Sequence, residues 1–141
     1  MKALSIFSAI ILTTLLFACN NKEADKGIMY PNDDSELTMV MREMFDYYAG
    51  VKKDIQDGNV PKEFKTFEDI HTAVSTEPEK AQSDLYKAMA QVYADAANRL
   101  NDDNVDINKA YNEMVDHCMN CHKQMCPGPT VKIKKLYLAK K

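Results

Sequence analysis

The chain has 141 residues, which leaves room for one domain around one core. Hydrophobic residues make up 45%, with only 4 Gly, 5 Pro and no Trp, a composition that disfavours turn-rich β architectures and favours helices. The net charge of −3 is too mild for a nucleic-acid-binding surface.

The first stretch reads as an export signal. Lys2 supplies the charged start, and an apolar run from Ile6 to Phe17 is broken only by Ser8, Thr13 and Thr14. That run is short for a membrane span and suits the core of a signal peptide. It ends Leu16-Phe17-Ala18-Cys19, which resembles the bacterial lipobox. The resemblance implies that residues 1–18 are removed, that the sulfur of Cys19 is lipidated, and that several acyl chains hold the protein to a membrane of the cell envelope, facing the periplasm or the exterior. An ordinary secretory signal with an incidental Cys is the plainer alternative. Residues 19–34 are polar, with Gly27 and Pro31, and read as a flexible tether to a domain spanning residues 35–141.

Four amphipathic stretches follow. The first is expected from Ser35 to Asp57, with Ser35 as N-cap and Leu37, Met41, Met44, Tyr48, Val51 and Ile55 forming an apolar seam at alternating steps of four and three. A shorter helix is expected from Phe64 to Ser75, with Phe64, Phe67, Ile70 and Val74 facing inward. The third runs from Glu79 to Leu100 with Leu85, Met89, Val92, Tyr93, Ala96 and Leu100 inward. The fourth runs from Asp106 to Met125 with Ala110, Tyr111, Met114, Cys118, Cys121 and Met125 inward, and Cys126-Pro127-Gly128-Pro129 stops it. In the tail, Ile133, Leu136 and Leu138 are expected to fold back, among lysines (132, 134, 135, 140 and 141) that form either a solubilising fringe or a docking patch. Short loops between these stretches predict an all-α, up-and-down four-helix bundle.

The fourth stretch carries Cys118-Met119-Asn120-Cys121-His122, the spacing of a c-type haem attachment site. On a helix, Cys118 and Cys121 lie on one face, where both thiols can add to the haem vinyl groups, and His122 follows as the proximal iron ligand. Other readings need features the sequence does not offer. A thioredoxin-type pair wants a βαβ context. A structural zinc site wants a second tight ligand pair, whereas only Cys126 and the separate His117 or His71 are at hand. A disulfide between Cys118 and Cys121 would close a very short, strained loop. One covalent haem c is therefore expected. With Cys19 lipidated, Cys126 is left over as an odd thiol.

The motif near the C-terminus of a helical chain, with a Met-containing helix near the mature N-terminus, resembles the class II cytochromes c, the cytochrome c prime group and its low-spin relatives. The likeness spans residues 35–125, and the tail extends beyond the usual end of that family. It implies a haem on the C-terminal helix and a first helix on its distal side. Low-spin members place a Met there and carry single electrons. The cytochromes c prime leave the iron five-coordinate and bind NO or CO. Here Met41 and Met44 lie on the apolar seam, while Met39 is turned away from Met41 by about 200°. Val40-Met41-Arg42 is similar to the Leu-Met-basic pattern of the low-spin relatives, so Met41 is the expected distal ligand and Met44 the second choice; plain core packing is the alternative for both. His71 is the distal substitute if neither binds, and His117 points about 100° from Cys118. Tyr48, Tyr93, Tyr111, Arg42 and Arg99 are candidates to line the haem or meet its propionates. The expected function is electron transfer to envelope redox partners, with no substrate chemistry of its own and with a homodimer as a further possibility raised by the resemblance.

Overall fold

The computed structural model describes residues 34–139, which form an all-helical domain without strands among the described residues. The signal segment, Cys19, most of the tether, Lys140 and Lys141 lie outside them. Helix α1 spans Glu36–Asp57, opened by Ser35, whose buried side chain accepts from Thr38 N at 3.2 Å, and closed by Gly58 at φ 78. Only glycine takes that left-handed cap without strain, and its amide reaches back to the carbonyls of Asp54 and Ile55. Met44, Tyr48, Val51 and Ile55 are buried along the expected seam, with Leu37 and Met41 half-buried at its N-terminal end.

The expected second helix is not formed. Residues 59–77 run back along α1 with a single 3-10 turn at Glu68–His71. Long-range partners claim its backbone groups: Asn101 bonds both the amide and the carbonyl of Phe64 (2.7 and 3.2 Å), Tyr47 Oη accepts from Lys65 N at 2.7 Å, and Tyr48 Oη donates to Lys65 O at 3.2 Å. At the far end, Leu37 N donates to Val74 O at 3.0 Å, which satisfies one of the free amides in the first turn of α1. With its polar groups satisfied in extended form, the segment needs no helix to bury Phe64, Phe67 and Ile70; Val74 is exposed rather than inward.

The expected third helix is interrupted. A turn, α2 (Pro78–Ala81), is separated from α3 (Asp84–Asn98) by Ser83, whose extended backbone and side chain cap α3 anew by accepting from Tyr86 N at 3.2 Å. A 3-10 turn at Arg99–Asn101 completes it. The buried face is also rotated from the expected one. Tyr86, Ala90, Tyr93, Ala94, Ala96, Ala97 and Leu100 are inside, whereas Leu85 and Val92 are exposed. Both stripes are apolar. The alanine-rich one lets α3 lie close against α4, and its tyrosines find partners: Tyr86 Oη donates to Ile70 O at 2.7 Å and Tyr93 Oη meets Tyr48 Oη at 3.1 Å.

Helix α4 (Ile107–Met125) is capped by Asp106, which accepts from the amides of Asn108 and Lys109. It packs most extensively on α3. Helix α1 meets the pair through tyrosines, with Tyr111 Oη donating to Tyr48 O at 2.7 Å. Tyr48 pairs with Tyr111 and Tyr93, and one to two turns earlier Met41 and Met44 share a cavity with Cys121 and His122 of α4 and with Tyr86 and Met89 of α3, so α1 runs antiparallel to α4 and parallel to α3 and the irregular segment makes the return stroke expected of a helix. Beyond Cys126, α5 (Thr130–Ile133) and a 3-10 turn (Lys134–Leu136) fold back as expected, burying Ile133, Leu136 and Leu138. Asn112 clamps the backbone of Leu138 from both sides, and Tyr137 Oη donates to Asp116 at 2.6 Å. Among the described residues no helix is long and apolar enough to cross a membrane.

Candidate functional site

The C-terminal half of α4 carries Cys118, Cys121 and His122 toward the N-terminal half of α1. All three line a cavity of about 30 Å³ together with Met41, Met44, Ile70, Tyr86, Met89 and His117. That volume holds no more than a water or two. Two larger clefts share lining residues with it, one of about 220 Å³ bounded by Ser35, Met41, Tyr86, Cys121 and Cys126, and one of about 540 Å³ lined by α1 and α5. Met41 and His122 border all three spaces. The 540 Å³ cleft has the size of small-molecule and cofactor sites, roughly 300–1,000 Å³, and the 220 Å³ one falls just short of it.

His122 is buried, and burial lowers its basicity below the usual imidazole range, which keeps the ring neutral. Its Nδ1 lies 3.2 Å from the carbonyl of Cys126 and 3.3 Å from Cys126 Sγ. A proton on Nδ1 donated to that carbonyl leaves Nε2 with its lone pair available, the tautomer a metal-binding imidazole needs. The α4 terminus creates this geometry: the carbonyl belongs to the cap residue one turn on, held there because Pro127 cannot continue the helix.

Cys118 and Cys121 are half-buried and Cys126 is exposed; no disulfide joins them. Burial, with the neighbouring Cys121 adding to it, pushes the Cys118 thiol up to about 12, and burial likewise pushes Cys121 up to about 11. Redox-active Cys-x-x-Cys pairs are shifted the other way, toward thiolate. Cys118 Sγ instead contacts Met114 Sδ at 3.8 Å in an apolar setting. Among the described residues no group of three or more His, Cys, Asp or Glu side chains converges to hold a metal ion, so a structural zinc ligand set is not assembled there.

The two methionines separate in environment. Met44 is 6% exposed within the core, whereas Met41 is half-buried and borders every space that His122 borders. Of the other expected participants, His71 is exposed and outside this group, while His117 lines the small cavity despite its offset on the helix. Tyr48 and Tyr111 are committed to core hydrogen bonds, and burial raises both hydroxyls well above the ordinary phenol range. Arg99 lies 3.5 Å from Glu113, away from these spaces, and Arg42 is held bidentate by Asp34 at the edge of the 540 Å³ cleft. Tyr86 and Phe45 carry no role in the sequence reading, and Lys132 figures there only among the lysines of a solubilising fringe or docking patch. For Tyr86 the signal was present in the spacing Tyr86-Ala90-Tyr93-Ala97. Phe45 and Lys132 meet only through tertiary structure, with Lys132 Nζ 4.8 Å above the Phe45 ring.

No protein-family description, curated protein or solved structure matches this chain.

Proposed function

We propose that the chain is a lipid-anchored, monohaem c-type cytochrome that carries single electrons at the bacterial cell envelope. The observation that carries this reading is the convergence of Cys118, Cys121, His122, Met41 and Met44 on one cavity, two of whose lining residues, Met41 and His122, also border the 540 Å³ cleft. The residues suit a haem. Two half-buried thiols sit one helical turn apart, a neutral imidazole has its Nδ1 engaged by a backbone carbonyl, and a thioether stands on the facing helix.

Bound there, a haem supplies reversible one-electron iron chemistry. The chain contributes the rest. Cys118 and Cys121 would hold the macrocycle by thioether bonds, and His122 would offer Nε2, with its ring orientation set through Cys126 O. Met41 would provide a soft sulfur that favours the reduced metal and raises the potential, with Met44 as the second candidate. Tyr86, Met89 and Ile70, which line the cavity with both cysteines, would shield the thioether side from water. Cys19, outside the described residues, would tether this unit to a membrane by its acyl chains, within reach of envelope redox partners.

The test is maturation of the chain in a bacterium that attaches haem c. Porphyrin should stay with the polypeptide on a denaturing gel, and the ferric protein should show the weak thioether–iron charge-transfer band of His/Met iron. His122→Ala should retain attached haem and lose the low-spin spectrum. Broad high-spin bands in the native chain would assign five-coordinate iron that binds NO or CO instead. A chain that retains no porphyrin refutes the cytochrome reading.

A further inference from the structure

We propose that Lys132 and Lys135, on the C-terminal segment, form with Arg42 a carboxylate-binding rim for the propionate edge of the haem, an inference that rests on the cytochrome reading above. The 540 Å³ cleft between α1 and α5 has an amphiphilic lining. Met41, Phe45, Val131 and Ile133 make its apolar wall, His122 reaches into it, and Arg42, Lys132 and Lys135 supply three cations. Among the described residues no carboxylate lines it, in a chain whose net charge is −3. An apolar slot with cations along one edge matches a flat hydrophobic molecule bearing acid groups on one side.

The segment is braced rather than frayed. Ile133, Leu136 and Leu138 are buried, Asn112 holds the Leu138 backbone, and Lys52 Nζ donates to Lys135 O at 2.8 Å, tying the segment to α1. Lys132 Nζ stands 4.8 Å over the Phe45 ring, on the apolar wall. Arg42 already has a partner in Asp34. Lys132 and Lys135 make no ion pair among the described residues, so theirs are the charges left to answer an incoming anion. All three of Lys132, Lys134 and Lys135 are exposed, but Lys134 does not line the cleft.

The experiment compares the haem-attached native chain with the double variant Lys132→Gln/Lys135→Gln, following the infrared carboxylate band of the propionates through a pH titration. Cations within about 4–6 Å depress a carboxylic acid by about 1–3 pH units. The double variant should therefore raise the apparent propionate pKa by about one unit or more, a tenfold gain in proton affinity, with haem staining and helical content unchanged. Lys132→Arg/Lys135→Arg should restore the native titration, and Lys134→Gln should leave it unmoved. An unchanged propionate titration in the double variant, with haem still attached, overturns the rim and leaves the cytochrome reading standing. A native chain without covalent porphyrin overturns both.

Discussion

Replacing Tyr48 with Phe removes a hydroxyl that serves two neighbours at once. Tyr48 Oη donates to Lys65 O at 3.2 Å and so accepts from Tyr93 Oη at 3.1 Å. The two rings are buried at 1% and 3% exposure, and the Tyr93 hydroxyl makes no other hydrogen bond among the described residues. The Tyr48→Phe variant loses a net hydrogen bond worth about 1 kcal/mol and also strands the Tyr93 hydroxyl in the core, a penalty of about 1–3 kcal/mol. Lys65 is exposed, so its carbonyl can turn to water. The expected total is about 2–4 kcal/mol, or a fall in Tm of roughly 10–15 °C for a domain of this size. Tyr93→Phe leaves Tyr48 bonded to Lys65 and should cost only about 1 kcal/mol. In the double variant nothing is stranded, so its cost should fall short of the sum of the single ones by about 1 kcal/mol or more. Urea unfolding of the haem-attached chain, followed by helical circular dichroism at constant m-value, reads all three. Equal costs for the two single variants, or strict additivity, would refute this account of the pair that joins α1 to α3 beside the site.

Two further outcomes follow from the same core. Met44→Ala empties a buried position and should cost about 2–5 kcal/mol while keeping the thioether–iron band, whereas the half-buried Met41→Ala should cost less, abolish the band and lower the potential; thermal melts and ferric spectra check both, and the reverse pattern moves the ligand to Met44. Burial first, then the neighbouring Cys121 and Cys126, push the Tyr86 hydroxyl from 10.0 up to about 12. Since the folded value lies above the unfolded one, its contribution is intact below about pH 10 and is lost as pH rises toward 12, an effect of about 3 kcal/mol in order of magnitude. Tyr86→Phe should flatten the alkaline fall in stability, seen by urea midpoints at rising pH; an unchanged slope would show that Tyr86 ionises freely when folded.

What the sequence determined by itself is what short-range chemistry controls. Ser35 and Asp106 cap the helices they precede because the cap bond spans two or three residues. Cys126-Pro127 ends α4 because proline cannot continue a helix, and Cys118, Cys121 and His122 share a helical neighbourhood by their spacing alone. The seam of α1 was legible because its opposite face is polar. Tertiary structure decided the rest. Helix α3 has two apolar stripes, and only its packing on α4, which buries Ala90 and Ala97, with partners for Tyr86 and Tyr93, selected one. The segment after Pro61 has inward apolar residues at helical spacing, yet Asn101, Tyr47 and Tyr48 claimed its backbone and left it extended. The cationic edge of the large cleft joins Arg42 to Lys132 and Lys135, some ninety positions away in the chain, so no local pattern marks it. Local hydrogen bonds can be read from neighbouring letters; a choice between two equally apolar faces, and the meeting of distant charges, is settled only when the chain closes on itself.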